Sequence, residues 1–555
     1  MSTNVSKQKR EKLVEQIKAI KTYIATAPQD ENTAQLLTYI AEIEKDIKSK
    51  KYGLVFEEHR ETIDEVLENS LPVLCENESL FINNGGQMNF LIEGDNLASL
   101  KLLEKTHKGK IDLIYIDPPY NTGNKDFVYD DAFIDNNDTF RHSKWLSFMG
   151  KRLSVAKELL SESGVIFISI DDNEQAQIKL MCDDIFSADN FIADLIWANQ
   201  EGGGSSDSKY FKIKHEHIIC YSKNINQCSP FVTVAIEDID RYKLNDEYEK
   251  ERGKYQLVKL ASASIQYSSS LDYEIECPDG SFITPAENSN KDKAIWRWSK
   301  AKLQWGIENG FVEFRKDKKN VWQVYTKQYI NCDKDGNIVR RTKKASGIIM
   351  QFSSTQGSNQ LFSIFGSKKF GYPKPVDLIL WLIERIDAAN STILDFFAGS
   401  GTTGHAVMKL NAEDGGQRKF ILCTNNENNI CREVTYERIK RVIEKEDYNA
   451  SLKYFKVDFL PISDKLYYEY ADELLKHIKE LVELENGINF NCDESIAIIL
   501  TEEELDEFVL NIPQKCKTVY LGHDVLPSET QEKIFKKNGI TTNIIPDYYY
   551  RDLEA

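Results

Sequence analysis

Apolar residues along the first 50 positions fall at helical spacing. Leu13, Ile17, Ile20 and Ile24 form one stripe, "APQDEN" interrupts it, and Leu36, Leu37, Ile40, Ile43 and Ile47 form a second. This predicts a helical hairpin over residues 1–52. From residue 88 the pattern becomes an alternation of strand and helix: strand "MNFLIE", helix "NLASLKLLEKTH", strand "IDLIYI", helix "TFRHSKWLSFMGKRLSVAKELL", strand "GVIFISI" and helix "NEQAQIKLMCDDIF". Strands "FIADLIW" and "HEHIICYS" follow. The alternation breaks off near "EGGGSSDSKYF" and resumes after about residue 350 with helix "PVDLILWLIERIDA", strand "STILDFF", helix "GTTGHAVMKLN", strand "KFILCTN" and helix "ICREVTYERIKRVIEK". Alternating strands and helices predict a wound α/β sheet. Because the same pattern returns, the segment 201–350 reads as an insert into one sheet domain whose parts span 53–200 and 351–450. Residues 451–555 carry further strand and helix signals and 21 acids against 11 bases, and read as a small acidic α/β accessory domain.

Composition bounds the classes. With 555 residues and 41% apolar content, the chain can bury several cores, and about one domain per 150 residues suggests three or four. No apolar run approaches about 18 residues, and "MSTNVSKQKREK" lacks the apolar stretch of a signal peptide, so a soluble cytoplasmic protein is expected. The ten cysteines include no C-x-x-C pair, which suits free thiols. His215 and His217 lie on one strand face and Cys220 on the other; ordinary packing is the reading there, and no metal is expected.

The net charge of −18 speaks against a nucleic-acid partner, yet Lys291 to Met350 holds 15 basic and 6 acidic residues. That window also contains Trp296, Trp298, Trp305 and Trp322. Interleaved Arg297, Lys300, Lys302, Arg315, Lys318 and Lys319 would suit phosphate contacts with base or sugar packing on the rings. A solvated face over a tryptophan-rich core fits the window equally well.

The chemistry is concentrated at predicted strand ends. In "ILDFFAGSGTTG" a strand ends at Asp395, and Gly399, Gly401 and Gly404 make G-x-G-x-x-G into a helix, a loop through which backbone N–H groups approach an anionic or nucleoside ligand. Alone this is a weak signal. Glu427 ends the next strand 28 positions after Gly399 and suits an acid on ribose hydroxyls. Asp95 and Asp117 end two more strands. In a parallel sheet those ends share one edge, so four loops converge on one cleft. The corner "DPPY", Asp117 to Tyr120, has prolines at 118 and 119 that remove two N–H donors and leave the carbonyls of Asp117 and Pro118 free to accept. With a carboxylate and a ring added, it describes a pocket for an exocyclic amino group on a planar base.

At these residues the sequence resembles the amino-methylating DNA methyltransferases that use S-adenosylmethionine. "DPPY" resembles their catalytic motif and "FAGSG", Phe397 to Gly401, their cofactor loop. The order, catalytic motif before cofactor loop with the insert between, is similar to the β-class permutation. "KYGLVFEEH", "LIEGDNLASLKLLE", "YIDPPYNTGNKDFVYDD", "RHSKWLSFM", "YPKP" and the tail "IIPDYYYRDL" resemble the modification subunits of type III restriction systems. The resemblance implies a Rossmann-like methyltransferase sheet, with Asp117, Pro118, Pro119 and Tyr120 holding a flipped adenine. It implies that Asp95 and Asn96 lie near the cofactor adenine and that Lys374 closes over its methionine end. Asp395, Phe397, Gly399, Ser400, Gly401 and Thr402 would form the remainder of the pocket, with Glu427 on the ribose. It makes the insert a target-recognition region, which favours the DNA reading of the basic window. It further implies double-stranded DNA as substrate, a homodimer, and an ATP-dependent restriction subunit as a partner, since this chain has no G-x-x-x-x-G-K-[ST] loop. A dehydrogenase would leave the proline corner unexplained. A C5-cytosine enzyme would need a cysteine after proline, and none is present. N4-cytosine methylation and a solitary methylase remain alternatives, with Asp117 at the first motif position leaning toward adenine.

Overall fold

The computed structural model describes the chain except residues 1–4, 27–32, 49–55, 130–131, 136–137, 201–209, 230, 236–238, 387, 463–466, 491–492 and 551–555. The expected opening of the insert at 201–209, the hairpin's boundary at residue 52 and the last residues of the tail therefore lie outside the described residues.

A ten-stranded mixed sheet organises the larger of two compact units. Its strands in chain order are β1 (Ser70–Glu76), β2 (Gln87–Glu93), β3 (Ile111–Ile116), β4 (Leu160–Ile170), β5 (Phe191–Trp197), β6 (Glu216–Ser222), β7 (Ile348–Ile349), β8 (Thr392–Asp395), β9 (Lys419–Thr424) and β10 (Ala450–Pro461). Their spatial order is β1-β10-β2-β9-β8-β3-β4-β6-β5-β7. Pairings from β10 through β4 are parallel, whereas β1 on β10 and β6 between β4 and β5 run antiparallel. The central strands are nearly continuous apolar runs, as burial on both faces requires: Ile111, Leu113, Ile114 and Ile116 of β3 and Ile393 and Leu394 of β8 are fully buried. The α/β architecture expected from the alternation is thus present.

Three boundaries differ from the sequence reading. Glu216–Ser222 is a strand of the main sheet, and Ile348–Ile349 pairs with β5, so the separate unit comprises Pro230–Ser346 with Arg385–Asp387 rather than 201–350. Ala450–Pro461 pairs with β1 and β2, so the proposed accessory domain does not begin at 451. This strand straddles the expected boundary, and its first six residues are buried against neighbours on either side. Beyond it, Ile496–Ile499, Thr518–Gly522 and Thr541–Ile545 form a small parallel sheet, with helices Glu502–Leu510 and Glu529–Asn538 between them. The N-terminal helices Val5–Thr26 and Thr33–Lys48 form the expected hairpin, tied by Lys21 to Glu44 at 2.5 Å.

The smaller unit is built on a three-stranded antiparallel sheet, Tyr255–Lys259, Trp322–Tyr329 and Val312–Lys316. All four of its tryptophans pack inward. Trp296 is wholly buried and donates Nε1–H to the Tyr273 carbonyl at 2.6 Å, Trp298 joins both of the unit's apolar clusters, and Trp322 packs against Phe314. Trp305 stacks on Phe311 at 5.0 Å. Trp296 is a core ring, and Trp298, Trp305 and Trp322 are half-buried against the unit's apolar clusters, the arrangement of the tryptophan-core alternative. Arg297, Lys300, Arg315, Lys318 and Lys319 are exposed, and Lys302 lies over the Trp305 ring with its ammonium 2.9 Å from Asp335.

Candidate active site

The corner after β3 is rigid for several reasons. Prolines 118 and 119 fix φ, Trp145 donates Nε1–H to the Pro119 carbonyl at 2.7 Å, and Asn121 turns the chain with a left-handed φ of 58°. Asn121 is fully buried and donates to Glu174 Oε1 at 2.5 Å, and His142 Nδ1 lies 2.6 Å from the same oxygen. Glu174 is itself fully buried, and that burial pushes its carboxyl up to about 8.

In front of this support, four side chains from three parts of the chain meet. Lys374 Nζ donates to both Asp117 carboxylate oxygens at 2.7 Å and to the Tyr120 hydroxyl at 2.8 Å, and sits 5.0 Å from the Tyr120 ring centre. The Tyr120 hydroxyl donates to Asp117 Oδ1 at 3.0 Å and to Glu216 Oε2 at 2.8 Å. Glu216 Oε1 accepts from Asn199 Nδ2 at 2.7 Å, and Asn199 Oδ1 is buried without a protein partner. Burial pushes the Asp117 carboxyl up against the opposing pull of Lys374. Burial also works against the Lys374 charge, but the Asp117 and Glu216 carboxylates outweigh it and hold the ammonium above its usual range. Lys374 therefore stays charged, and Asp117 is the member that gives up its charge first as pH falls. Burial and the Asp117 carboxylate keep the Tyr120 phenol protonated.

The glycine loop adjoins this cluster. Asp395 is buried and caps the turn after β8, accepting from the Phe397 N–H at 3.0 Å and the Thr403 hydroxyl at 2.5 Å; burial pushes its carboxyl up to about 7. Gly399 and Gly401 take φ of 48° and 75°, and Gly401 opens helix Thr402–Asp414. Buried Arg438 clamps the loop from behind, donating to the Ser400 carbonyl at 3.1 Å, the Ser400 hydroxyl at 3.0 Å and the Thr402 hydroxyl at 2.8 Å. A Cβ on Gly404 would meet Ile439 at 2.9 Å, so the third glycine serves helix packing. The Thr402 hydroxyl also reaches the Lys374 carbonyl at 3.3 Å, which ties the loop to the lysine's segment.

The remaining expected residues occupy the same edge in different states. Asp95 caps helix Asn96–His107, accepting from Leu97 N–H at 2.7 Å and Ala98 N–H at 3.2 Å. Asn96 donates to the Phe396 carbonyl at 3.1 Å and accepts from buried Arg152 at 2.5 Å. Asp95, Asn96, Asp395, Ser400 and Thr402 are thus engaged in holding the loops. Phe397 is half-buried against Phe148, with ring centres 5.9 Å apart, and Glu427 is exposed just beyond β9, with Asn425 Nδ2 2.7 Å from its Oε1.

Sequence reasoning missed Glu216, Asn199, Trp145, Arg152 and Arg438. It looked for acids where strands end, but β6 runs antiparallel and brings its first residue to the edge where its neighbours finish. The charged start of "HEHIICYS" was the available signal.

The sheet, the glycine loop at its carboxyl edge and the acceptor corner beside it define a Rossmann-like nucleotide-cofactor fold with a site for an N–H donor. The chain belongs to the DNA methylase family of the N6/N4 type, whose match covers residues 111–437. Among curated proteins it is 33% identical over 395 residues to the "Type III restriction-modification enzyme StyLTI Mod subunit" of Salmonella typhimurium, covering 65% of this chain and 58% of that one. It is 34% identical over 396 residues to the EcoPI Mod subunit of Escherichia phage P1, covering 62% and 58%. Against "Type II methyltransferase M.KpnI" of Klebsiella pneumoniae the figures are 32% over 351 residues, 60% and 79%. The matched region spans less than two thirds of the length of the two Mod subunits.

Proposed function

We propose that the protein is a site-specific DNA methyltransferase that moves a methyl group from S-adenosylmethionine to the N6 amino group of adenine, as the modification and DNA-recognition subunit of a type III restriction-modification system. The observation that carries this reading is the Lys374 ammonium on Asp117 and Tyr120. A nitrogen donor sits on two carboxylate oxygens and a hydroxyl at 2.7–2.8 Å, close to an aromatic ring. That is the set of interactions an exocyclic amino group on a flat base would need.

The pocket's donor set fits the cofactor. The φ of 48° at Gly399 opens the loop backbone, the helix Thr402–Asp414 starts beside it, and Phe397 and Glu427 offer a ring and an exposed acid at adjacent strand ends. Phe397, Gly399 and Gly401 would hold the methionine side, and Glu427 the ribose. When bound, S-adenosylmethionine supplies an electrophilic methyl group. The chain's own residues do the remaining work. Asp117 accepts from the amino N–H and draws its lone pair out of conjugation with the base, and Tyr120 stacks on the base. Its raised carboxyl leaves Asp117 able to take the proton released on transfer.

The basic residues of the smaller unit support a DNA-binding role, with Lys318 and Lys319 in the turn joining Val312–Lys316 to Trp322–Tyr329. Among the described residues no helix is long and apolar enough to cross a membrane. A homodimer and an ATP-dependent restriction partner in the cytoplasm belong to the same reading. Mapping modified bases after expression in a host without DNA methylation tests it. N6-methyladenine in one short asymmetric motif is the expected result, and N4-methylcytosine would favour the alternative target. Copurification of a second subunit from the native host separates a partnered enzyme from a solitary methylase.

A further inference from the structure

We propose that Asp172, His215 and His217 form a binding site for one divalent metal ion of the zinc class beside the candidate active site. β4 ends at Ile170, whose cross-strand partner is His217 in β6, so the residue two past the end of β4 meets the two histidines at the start of its antiparallel neighbour. One ligand atom from each of the three lies within 4.8 Å of the others. Asp172 Oδ1 is 3.2 Å from His217 Nε2 and 3.9 Å from His215 Nε2. A tetrahedral ion with bonds of about 2.1 Å needs ligand atoms about 3.4 Å apart, so the pocket closes on a metal with shifts of about 1 Å.

The surroundings are those of a metal-binding histidine. Asp194 in β5 lies diagonally across from His217 and accepts at its Nδ1, with oxygens at 3.1 and 3.2 Å; Gln175 Nε2 holds Asp194 at 2.8 Å. A carboxylate on Nδ1–H fixes the tautomer whose Nε2 carries a lone pair, and orients the ring. Nε2 then lies 3.2 Å from the Asp172 oxygen, a spacing that either an imidazolium proton or a bound metal ion can bridge. Asp172 is largely solvent-exposed, which leaves an entry path and open coordination positions, and two imidazoles with one carboxylate suit zinc, cobalt or nickel better than magnesium.

The ion's place in the fold gives it a role. Glu216 stands between the two histidines, and strand alternation turns its side chain to Tyr120 and Lys374. A metal held by residues 215 and 217 would therefore anchor the backbone that carries the Glu216 carboxylate.

The test uses the full chain stripped with chelator and titrated with cobalt(II) alone, read by its visible absorption and by the melting temperature. One equivalent of tightly bound cobalt with a rise in melting temperature is expected, displaced by zinc. Affinity should fall at least tenfold in the surface variants Asp172→Asn and His215→Ala, both of which leave His217 and Asp194 in place. No stoichiometric uptake by the wild-type chain would overturn the proposal and leave His217 as an imidazolium between two aspartates. Equal uptake by the Asp172→Asn/His215→Ala double variant would overturn it as well. Neither readout depends on methyl transfer, so it stands or falls separately from the reading of the active site.

Discussion

Lys374 and Asp117 are 257 positions apart in the chain, and the lysine's ammonium lies 2.7 Å from each oxygen of the aspartate. The pairing joins the segment that precedes the glycine loop to the proline corner, so the two halves of the candidate transfer site are tied by one cation. On the proposed function, a substrate amino group would have to share or take over acceptors that Lys374 now occupies.

Replacing Asp117 by alanine removes the carboxylate but leaves the glycine loop, its Arg438 clamp and Phe397 intact. Methyl transfer to DNA should fall by at least about 10²-fold. Binding of S-adenosylmethionine, measured by calorimetry, should change little. Activity near that of the wild type would remove Asp117 from the site.

Lys374→Met leaves Asp117 and Glu216 with each other and no cation between them. Breaking a buried ion pair costs about 3–5 kcal/mol, and the partial exposure of Asp117 brings the expectation to about 2–3 kcal/mol, seen in urea unfolding. Adding Glu216→Gln should recover part of the loss, because one of the two stranded charges is then gone. Strict additivity of the two substitutions would show that the carboxylates do not share the lysine.

Neutralising Arg315, Lys318 and Lys319 together should weaken DNA binding by a similar factor for all sequences. The slope of log affinity against log salt should flatten by about 0.9 for each DNA phosphate that is no longer neutralised. An unchanged slope would place the DNA face elsewhere on the chain.

Glu174 offers a pH signature. Its carboxyl is raised to about 8 by burial, from an ordinary value near 4.5. The folded chain therefore holds this proton more tightly than the unfolded chain. The resulting stabilisation is complete below about pH 4.5 and disappears as pH rises through about 8. Glu174→Gln, which keeps an acceptor for Asn121, should remove that part of the decline in melting temperature between about pH 5 and 8. Parallel curves for the two proteins would show that Glu174 does not titrate across this range.

Much of this was legible without coordinates, and the physical reasons for the rest are specific. Strand and helix periodicity, the G-x-G-x-x-G loop and the proline corner are local patterns, and the secondary structure and turns they predict are those observed at β3, β8 and helix Thr402–Asp414. The same logic failed for Ala450–Pro461, where acidic composition argued for a separate domain while the strand's partners lay at β1 and β2. It left the setting of Trp296, Trp298, Trp305 and Trp322 open, because a ring beside a lysine reads alike whether it faces DNA or a core.

By itself the amino-acid sequence determined the α/β class, the loops that carry chemistry and the corner built to accept an N–H donor, since each depends on residues close together in the chain. Only the tertiary structure decided that Glu216 faces Tyr120, that Lys374 sits on Asp117, and that Asp172 meets His215 and His217. Those meetings depend on strand direction and order. β6 is antiparallel to its neighbours, and its reversal carries the start of one strand to the ends of two others, a relationship that no local pattern encodes.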